Sequence, residues 1–415
     1  MISNTTERAK LLIEQKRYKE AKQEIGNLLQ SDPNDAEALC LLAIIFLEEK
    51  KYEEAEELVL NAIKINPSNS FHYYLHAQIL FQLDKNSEAE KKVHEALKIF
   101  PYDAECFALL AAIKLHDKEW EKALDYANKG LEVDADNINC LNYRSTALMK
   151  LDRKEDSFNT IAHALNNDPY NAYTHANVGW ALLEKGDHKK ALIQFQESLK
   201  IDPTLDYAKA GLVEALKARY LFYRWFLKYA FWIGNMKGKA QWGVIIGFAI
   251  GSRVLRGIAS AVPALKPFIL PVVILYMMFA VSTWIIEPLT NLFLRLNVYG
   301  RYALQKAEII TSNFVGSSLL LGITSFILYY FTDNDLFFYS AIFGISMMIP
   351  LANMLTPPLA KNKKKLIVYA AGLGLTGISG LVLFALDNPA AQHCATIYIL
   401  GIILYQWVAN AILIR

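Results

Sequence analysis

The chain has 415 residues, of which 53% are hydrophobic and 20% charged, with a formal net charge of +2. That near-neutral total conceals two unlike halves: residues 1–217 hold 27 basic and 36 acidic side chains, and the remainder holds 16 and 5. The four cysteines (Cys40, Cys106, Cys140 and Cys394) form no C-x-x-C pair, and no histidine stands at metal-ligand spacing, so no disulfide framework, metal or cofactor is expected.

The first feature in chain order is a 34-residue period. Pro33, Pro67, Pro101, Pro169 and Pro203 share one register, with Ala135 in the vacant place. Twelve residues earlier runs a column of Ala21, Ala55, Ala89, Ala123, Ser157 and Ala191; another holds Ala9, Ala43, Ala77, Ala111, Ser145 and Gly179. Recurrent small residues predict tight helix–helix crossings where only a methyl or hydroxymethyl group fits. Each unit carries two amphipathic stretches with apolar residues at helical spacing, such as Leu39, Leu42, Ala43 and Phe46. One such unit cannot bury its apolar stripe alone, so neighbours must stack.

The period and its small-residue columns resemble the tetratricopeptide repeat (TPR), most fully in residues 39–67 and 175–203. The resemblance implies an all-α solenoid over 1–217, about six antiparallel helix pairs closed by a capping helix at 206–222. It also implies protein or peptide binding in a concave groove and no catalytic residues, so no enzyme is expected. Family geometry places three columns on that groove: Glu37, Phe71, Glu105, Asn139 and Tyr173; Cys40, Tyr74, Ala108, Asn142 and Ala176; Ile44, Gln78, Ala112, Thr146 and Trp180. Phe71, Tyr74, Gln78, Asn139, Asn142, Tyr173 and Trp180 are the candidate contacts. No Lys or Arg accompanies the asparagines on these columns, unlike the carboxylate clamp of chaperone-binding relatives. Cys106 and Cys140 fall one repeat apart, too far for a disulfide, and the three repeat cysteines read as small buried residues.

Residues 218–241 interleave Tyr, Trp and Phe with Arg and Lys, as expected of an amphipathic helix in the headgroup layer, where anionic lipid would meet the basic groups. The alternative is a plain extension of the capping helix. Residues 287–308 read as a second interfacial segment.

Residues 242–415 read as a six-helix transmembrane bundle: 242–262, 268–286, 309–331, 336–355, 366–386 and 396–414 each approach the roughly 20 residues a span needs. With the N-terminus inside, the inner side receives thirteen Lys and Arg, including Lys237, Arg301, Lys361 and Arg415, and the outer side only Lys266. The first 20 residues contain no apolar signal segment. Both termini are therefore expected in the cytoplasm, with the bundle in a plasma or bacterial inner membrane. Arg253 and Arg256 lie in the first span as membrane-buried polar groups, either inside the bundle or snorkelling. Gly243, Gly247 and Gly251 suggest a helix-packing face, internal or dimeric. Asn353 and Asn410 are expected in interhelical hydrogen bonds.

Three functions compete. A membrane-anchored scaffold, recruiting a protein to a membrane complex or homo-oligomer, uses the groove and needs no catalysis; no nucleic-acid partner is expected. A transporter or channel with a regulatory TPR domain would use Arg253 and Arg256, but Pro263, Pro267 and Pro271 only partly match a broken-helix site. An intramembrane hydrolase would use Ser379 in Gly377-Ile378-Ser379-Gly380, yet the last span holds no His and His393 lies in the preceding loop.

Overall fold

The computed structural model describes residues 2–236, 238–295, 304, 306–355 and 360–413, and among them every regular element is helical. Along the first half, helices come two by two: α1 (Ile2–Glu14) and α2 (Tyr18–Ser31), α3 (Ala36–Glu48) and α4 (Tyr52–Ile65), α5 (Ser70–Gln82) and α6 (Asn86–Ile99). Then follow α7 (Ala104–His116) and α8 (Trp120–Val133), α9 (Ile138–Lys150) and α10 (Lys154–Asn167), α11 (Ala172–Lys185) and α12 (His188–Ile201), and the single helix α13 (Asp206–Lys217).

Local chemistry repeats at the same period. The first helix of each unit from the second to the fifth opens on a side-chain cap: Asp35, Asn69, Asp103 and Asn137 each accept from a backbone N–H of the first turn. Asn171 does the same for the sixth, accepting from Thr174 N at 3.0 Å. In the next place of that column Leu205 supplies no cap to α13. Lys16, Lys50, Asp84, Lys118, Asp152 and Gly186 all take positive φ, between 57° and 97°, at the turn inside each pair. Each such turn ends its helix with a six-to-one bond, such as Lys51 N to Phe46 O at 2.8 Å. Only one of the six is glycine, so residue type does not announce the turn. The predicted crossings hold: Ala43 and Ala55, Ala77 and Ala89, Ala111 and Ala123 are fully buried. Where both columns carry serine, Ser157 Oγ donates to the carbonyl of Ser145 at 2.8 Å.

Buried cysteines behave as small core residues, none in a disulfide. Burial pushes the thiols of Cys40 and Cys140 up to about 12 and that of Cys106 higher still.

The chain forms two compact units, Met1–Ala181 with Glu197–Pro203, and Leu182–Gln196 with Thr204–Arg415. In the second, α13 is followed by a turn at 218–220 and by α14 (Leu221–Gly234), so α14 is a separate helix rather than an extension of α13. Then come α15 (Gly238–Ala261), a 3₁₀ turn at Pro263–Leu265, α16 (Lys266–Leu294), α17 (Lys306–Thr332), α18 (Asp335–Asn353), α19 (Ala360–Ala385) and α20 (Ala390–Leu413). Each of the six expected spans overlaps one of these helices, four of them running past its C-terminal end. Among the described residues, three stretches are long and apolar enough to cross a membrane: Lys306–Thr332, Asp335–Asn353 and Lys363–Ala385. Their outward faces carry exposed apolar side chains, including Leu320, Phe326, Ile342 and Leu375.

Several expectations need correction. Residues 287–294 continue α16 through Pro288 rather than starting an interfacial segment; 296–303 lie outside the described residues, as do Lys237 and Arg415. No described atom lies within 4 Å of the Cβ position at Gly243, Gly247 or Gly251, so this stripe packs on no described helix. Gly247 and Gly251 line an open apolar groove of ≈ 430 Å³ with Trp232, Leu255, Val272 and Val273. The close crossing lies elsewhere. A Cβ on Gly344 of α18 would stand 2.7 Å from Gly322 N on α17, and Ser318 Oγ donates to the Gly344 carbonyl at 2.7 Å. Asn353 donates to the Ile349 carbonyl of its own helix, not across helices, and the Asn410 side chain lies outside the described residues. Gly377 is a packing residue: a Cβ there would meet the Phe343 ring at 2.2 Å.

Candidate protein-binding groove

The first helices of successive pairs carry the three predicted columns. Two depressions lie along them. One of ≈ 650 Å³ is lined by Lys10, Glu37, Cys40, Ile44, Asn69 and Phe71 among others. The other, of ≈ 380 Å³, is lined by Glu48, Gln78, Phe81, Leu109, Ala112 and Tyr143 among others. Members of all three predicted columns therefore line real concavities.

Glu105 is the hub that sequence reasoning passed over. It sits on α7 and accepts from Asn137 Nδ2 at 2.8 Å, from Asn139 Nδ2 at 3.0 Å and from Tyr74 OH at 3.5 Å. Gln78 Nε2 donates to Tyr74 OH at 2.8 Å, so the network crosses three helices. Burial, then the neighbouring Glu105 charge, pushes the Tyr74 phenol far above its ordinary value, which keeps it a neutral donor. Glu105 was legible only as one member of a column; nothing local marks it as the common acceptor.

The predicted contacts divide. Phe71 is 43% exposed and Asn139 is exposed, so both are open to solvent. Tyr74 and Gln78 are half-buried in the Glu105 network, and Tyr74 also packs on the core of Leu109 and Leu110. Asn142 is 1% exposed and donates to Thr174 Oγ1 at 2.9 Å, a bond that ties α9 to α11 rather than facing the groove. Tyr173 and Trp180 are half-buried and each has partners of its own. Lys10 corrects the reading that the groove lacks a cation: it occupies the first-unit place of the Ile44 column. It pairs with Glu37 at 2.9 Å and Glu7 at 3.0 Å, so its charge is already met. Outside the groove, Arg253 and Arg256 are exposed side chains, Arg256 donating to its own helix at the Ser252 carbonyl. No group of three His, Cys, Asp or Glu able to hold a metal converges among the described residues.

His72 and His76 lie on α5, one turn apart and buried. Burial lowers both below the ordinary 6.5, against opposing hydrogen bonds to the Asn66 and Ala62 carbonyls for His72 and to Glu56 for His76. The unfolded chain therefore binds more protons just below pH 6.5. Solenoid stability should be fully present above pH 6.5 and fall as pH drops through the folded values. Thermal melting at pH 7.5 and 5.5 checks this: the wild type should melt lower at pH 5.5, and a His72→Gln/His76→Gln variant should show a smaller difference.

Residues 172–205 match the tetratricopeptide repeat model, and residues 14–96 match the model described as anaphase-promoting complex, cyclosome, subunit 3. The N-terminal array is a TPR-like solenoid. Among solved structures, the chain resembles the Cut9–Hcn1 hetero-tetramer of the APC/C at 17% identity and TM-score 0.45, over 52% of this chain and 43% of that one. A tetratricopeptide repeat protein from Parabacteroides merdae matches at 14% identity and TM-score 0.45, over 51% of this chain and 82% of that one. PilW, a type IV pilus biogenesis factor, matches at 16% and 0.43, over 51% and 98%. The chain thus spans less than half the length of the Cut9–Hcn1 chain it matches. In the TPR-like solenoid, exposed Phe71 and Asn139 lie on the predicted columns, and Asn139 donates to Glu105.

Proposed function

We propose that the protein is a membrane-anchored scaffold whose cytoplasmic TPR-like solenoid recruits a protein or peptide to a membrane complex. The observation that carries this reading is the lined concave face, with Phe71 exposed above the ≈ 650 Å³ depression and the Glu105 network beside it. Anchoring rests on the three long apolar helices with exposed apolar faces. Six spans with both termini inside agree with the Lys and Arg distribution, and a bacterial inner membrane suits the short loops. In this arrangement α14 lies in the headgroup layer and meets anionic lipid.

The test is affinity purification of the full-length protein in mild detergent beside a Phe71→Ala/Asn139→Ala variant. Both side chains are exposed, so their loss spares the core, as Tyr74→Ala would not. A partner held by the wild type should fall at least tenfold in the variant, as expected of a hot-spot aromatic. Identical partner sets from both samples would remove the groove from consideration.

A further inference from the structure

A pocket of ≈ 140 Å³ opens in the second unit where the turn before α12 faces α14. Its wall includes Gly186, His188, Arg224, Trp225 and Lys228, and no acidic side chain. Arg224 and Lys228 stand one turn apart on α14, so both basic groups reach the same side. Arg224 Nε is buried and has no hydrogen-bond partner among the described residues. A buried donor left in that state is destabilising, and a bound acceptor would satisfy it. His188 feels the same excess of positive charge. Burial first, then Arg224 and Lys189, lower its imidazole below the ordinary 6.5, with Asp187 opposing. Asp187 is itself engaged as acceptor for Lys190 N at 3.1 Å. Phe222 and Trp225 of α14 are mostly exposed and stack edge to face at 5.9 Å.

We propose that this pocket binds a phosphate group, with the Arg224 guanidinium donating to two of its oxygens, Lys228 adding a point charge and His188 a ring N–H. The phosphate belongs to a lipid headgroup or to a free phosphate; the exposed Phe222 and Trp225 suit the lipid, since aromatic rings anchor at the headgroup level. The lipid source rests on the reading of α14 as a headgroup-layer helix, whereas the pocket itself does not.

Native mass spectrometry of the full-length protein in nonionic detergent tests it, with phosphatidic acid as probe and inorganic phosphate as competitor. The wild type should retain one phosphatidic acid per chain, and Arg224→Gln/Lys228→Gln should retain at least tenfold less at matched lipid concentration. Lys189→Gln, a cation outside the pocket wall, should stay within twofold of wild type. Arg224→Lys, which keeps charge and loses the fork, should fall between and serves if the double variant misfolds. Displacement by millimolar inorganic phosphate would establish free phosphate as a ligand; retention against it would establish the headgroup. Equal retention by wild type and the Arg224 variants, or no binding of either probe, would overturn the site. A spin label at Phe222→Cys, read for access to oxygen against aqueous nickel, reports the placement of α14 separately, so either idea can fail alone.

Discussion

Gly344→Ala should destabilise the α17–α18 hairpin by about 3 kcal/mol, the upper end of what overpacking one methyl group costs. The reason is what the methyl would meet. Its carbon would lie 2.7 Å from Gly322 N, and 2.9 Å from both Gly322 Cα and the Ser318 carbonyl oxygen. All three are backbone atoms, so no side chain can swing away and the helices themselves must separate. Separation also breaks the Ser318 Oγ bond to the Gly344 carbonyl. Such a bond is worth about 0.5–1.5 kcal/mol. Gly374→Ala is the matched control, since its methyl would meet only Met347 Cε at an ordinary 3.6 Å. Thermal unfolding of the purified protein in detergent compares them. A Gly344→Ala melting temperature as high as that of Gly374→Ala would show that the hairpin does not need the close approach.

Lys217→Met should cost a similar amount, about 3 kcal/mol, because it strands part of a buried charge cluster. Lys217 is 1% exposed on α13, with its ammonium 3.2 Å from Glu214 Oε1, 3.7 Å from Glu287 Oε1 and 5.7 Å from the Tyr223 ring centre. Tyr223 OH donates to the other Glu214 oxygen at 2.6 Å. Burial and the nearby Glu214 charge push that phenol well above its ordinary value, so it stays a donor. Removing the lysine leaves Glu214 charged with only the tyrosine to answer it. Glu287 is more than half exposed and can return to water, which keeps the cost at the low end of the range for broken buried pairs. The cluster has a structural consequence as well, since Glu287 lies on α16 and Val213 of α13 packs with Leu294 and Leu304. The helix that follows the sixth repeat is thereby held against the apolar half of the chain. A double-mutant cycle checks the assignment: Lys217→Met/Glu214→Gln should recover most of the loss. Equal melting temperatures for the single variant and the wild type would sink it.

The repeat array was legible because its determinants are local and recur. A cap at each first turn, a small residue at each crossing and a stop at each second helix are set by neighbours within one unit, and 34-residue recurrence multiplies each weak signal six times. Even the left-handed turns at Lys16, Lys50 and their equivalents follow from position in that unit, though residue type hid them. The candidate site was legible only as a face. Phe71 and Asn139 could be placed on it by period, yet which column members stay free depended on contacts between units, and Asn142 was drawn off to Thr174.

What the sequence by itself determined is the solenoid of paired helices, the apolar second half and the sign of its charge, because these depend on period, composition and length. Tertiary structure alone decided where chemistry gathers. Glu105 collects donors from α5 and α9, Gly344 rather than the Gly243–Gly247–Gly251 stripe makes the close crossing, Lys217 meets Glu287, and Arg224 meets His188. The partners are separated by tens of residues, and of these pairs only Glu105 and Asn139, 34 apart, share the repeat period. A side chain's periodic place says which way it points; only the packed neighbour says what it meets.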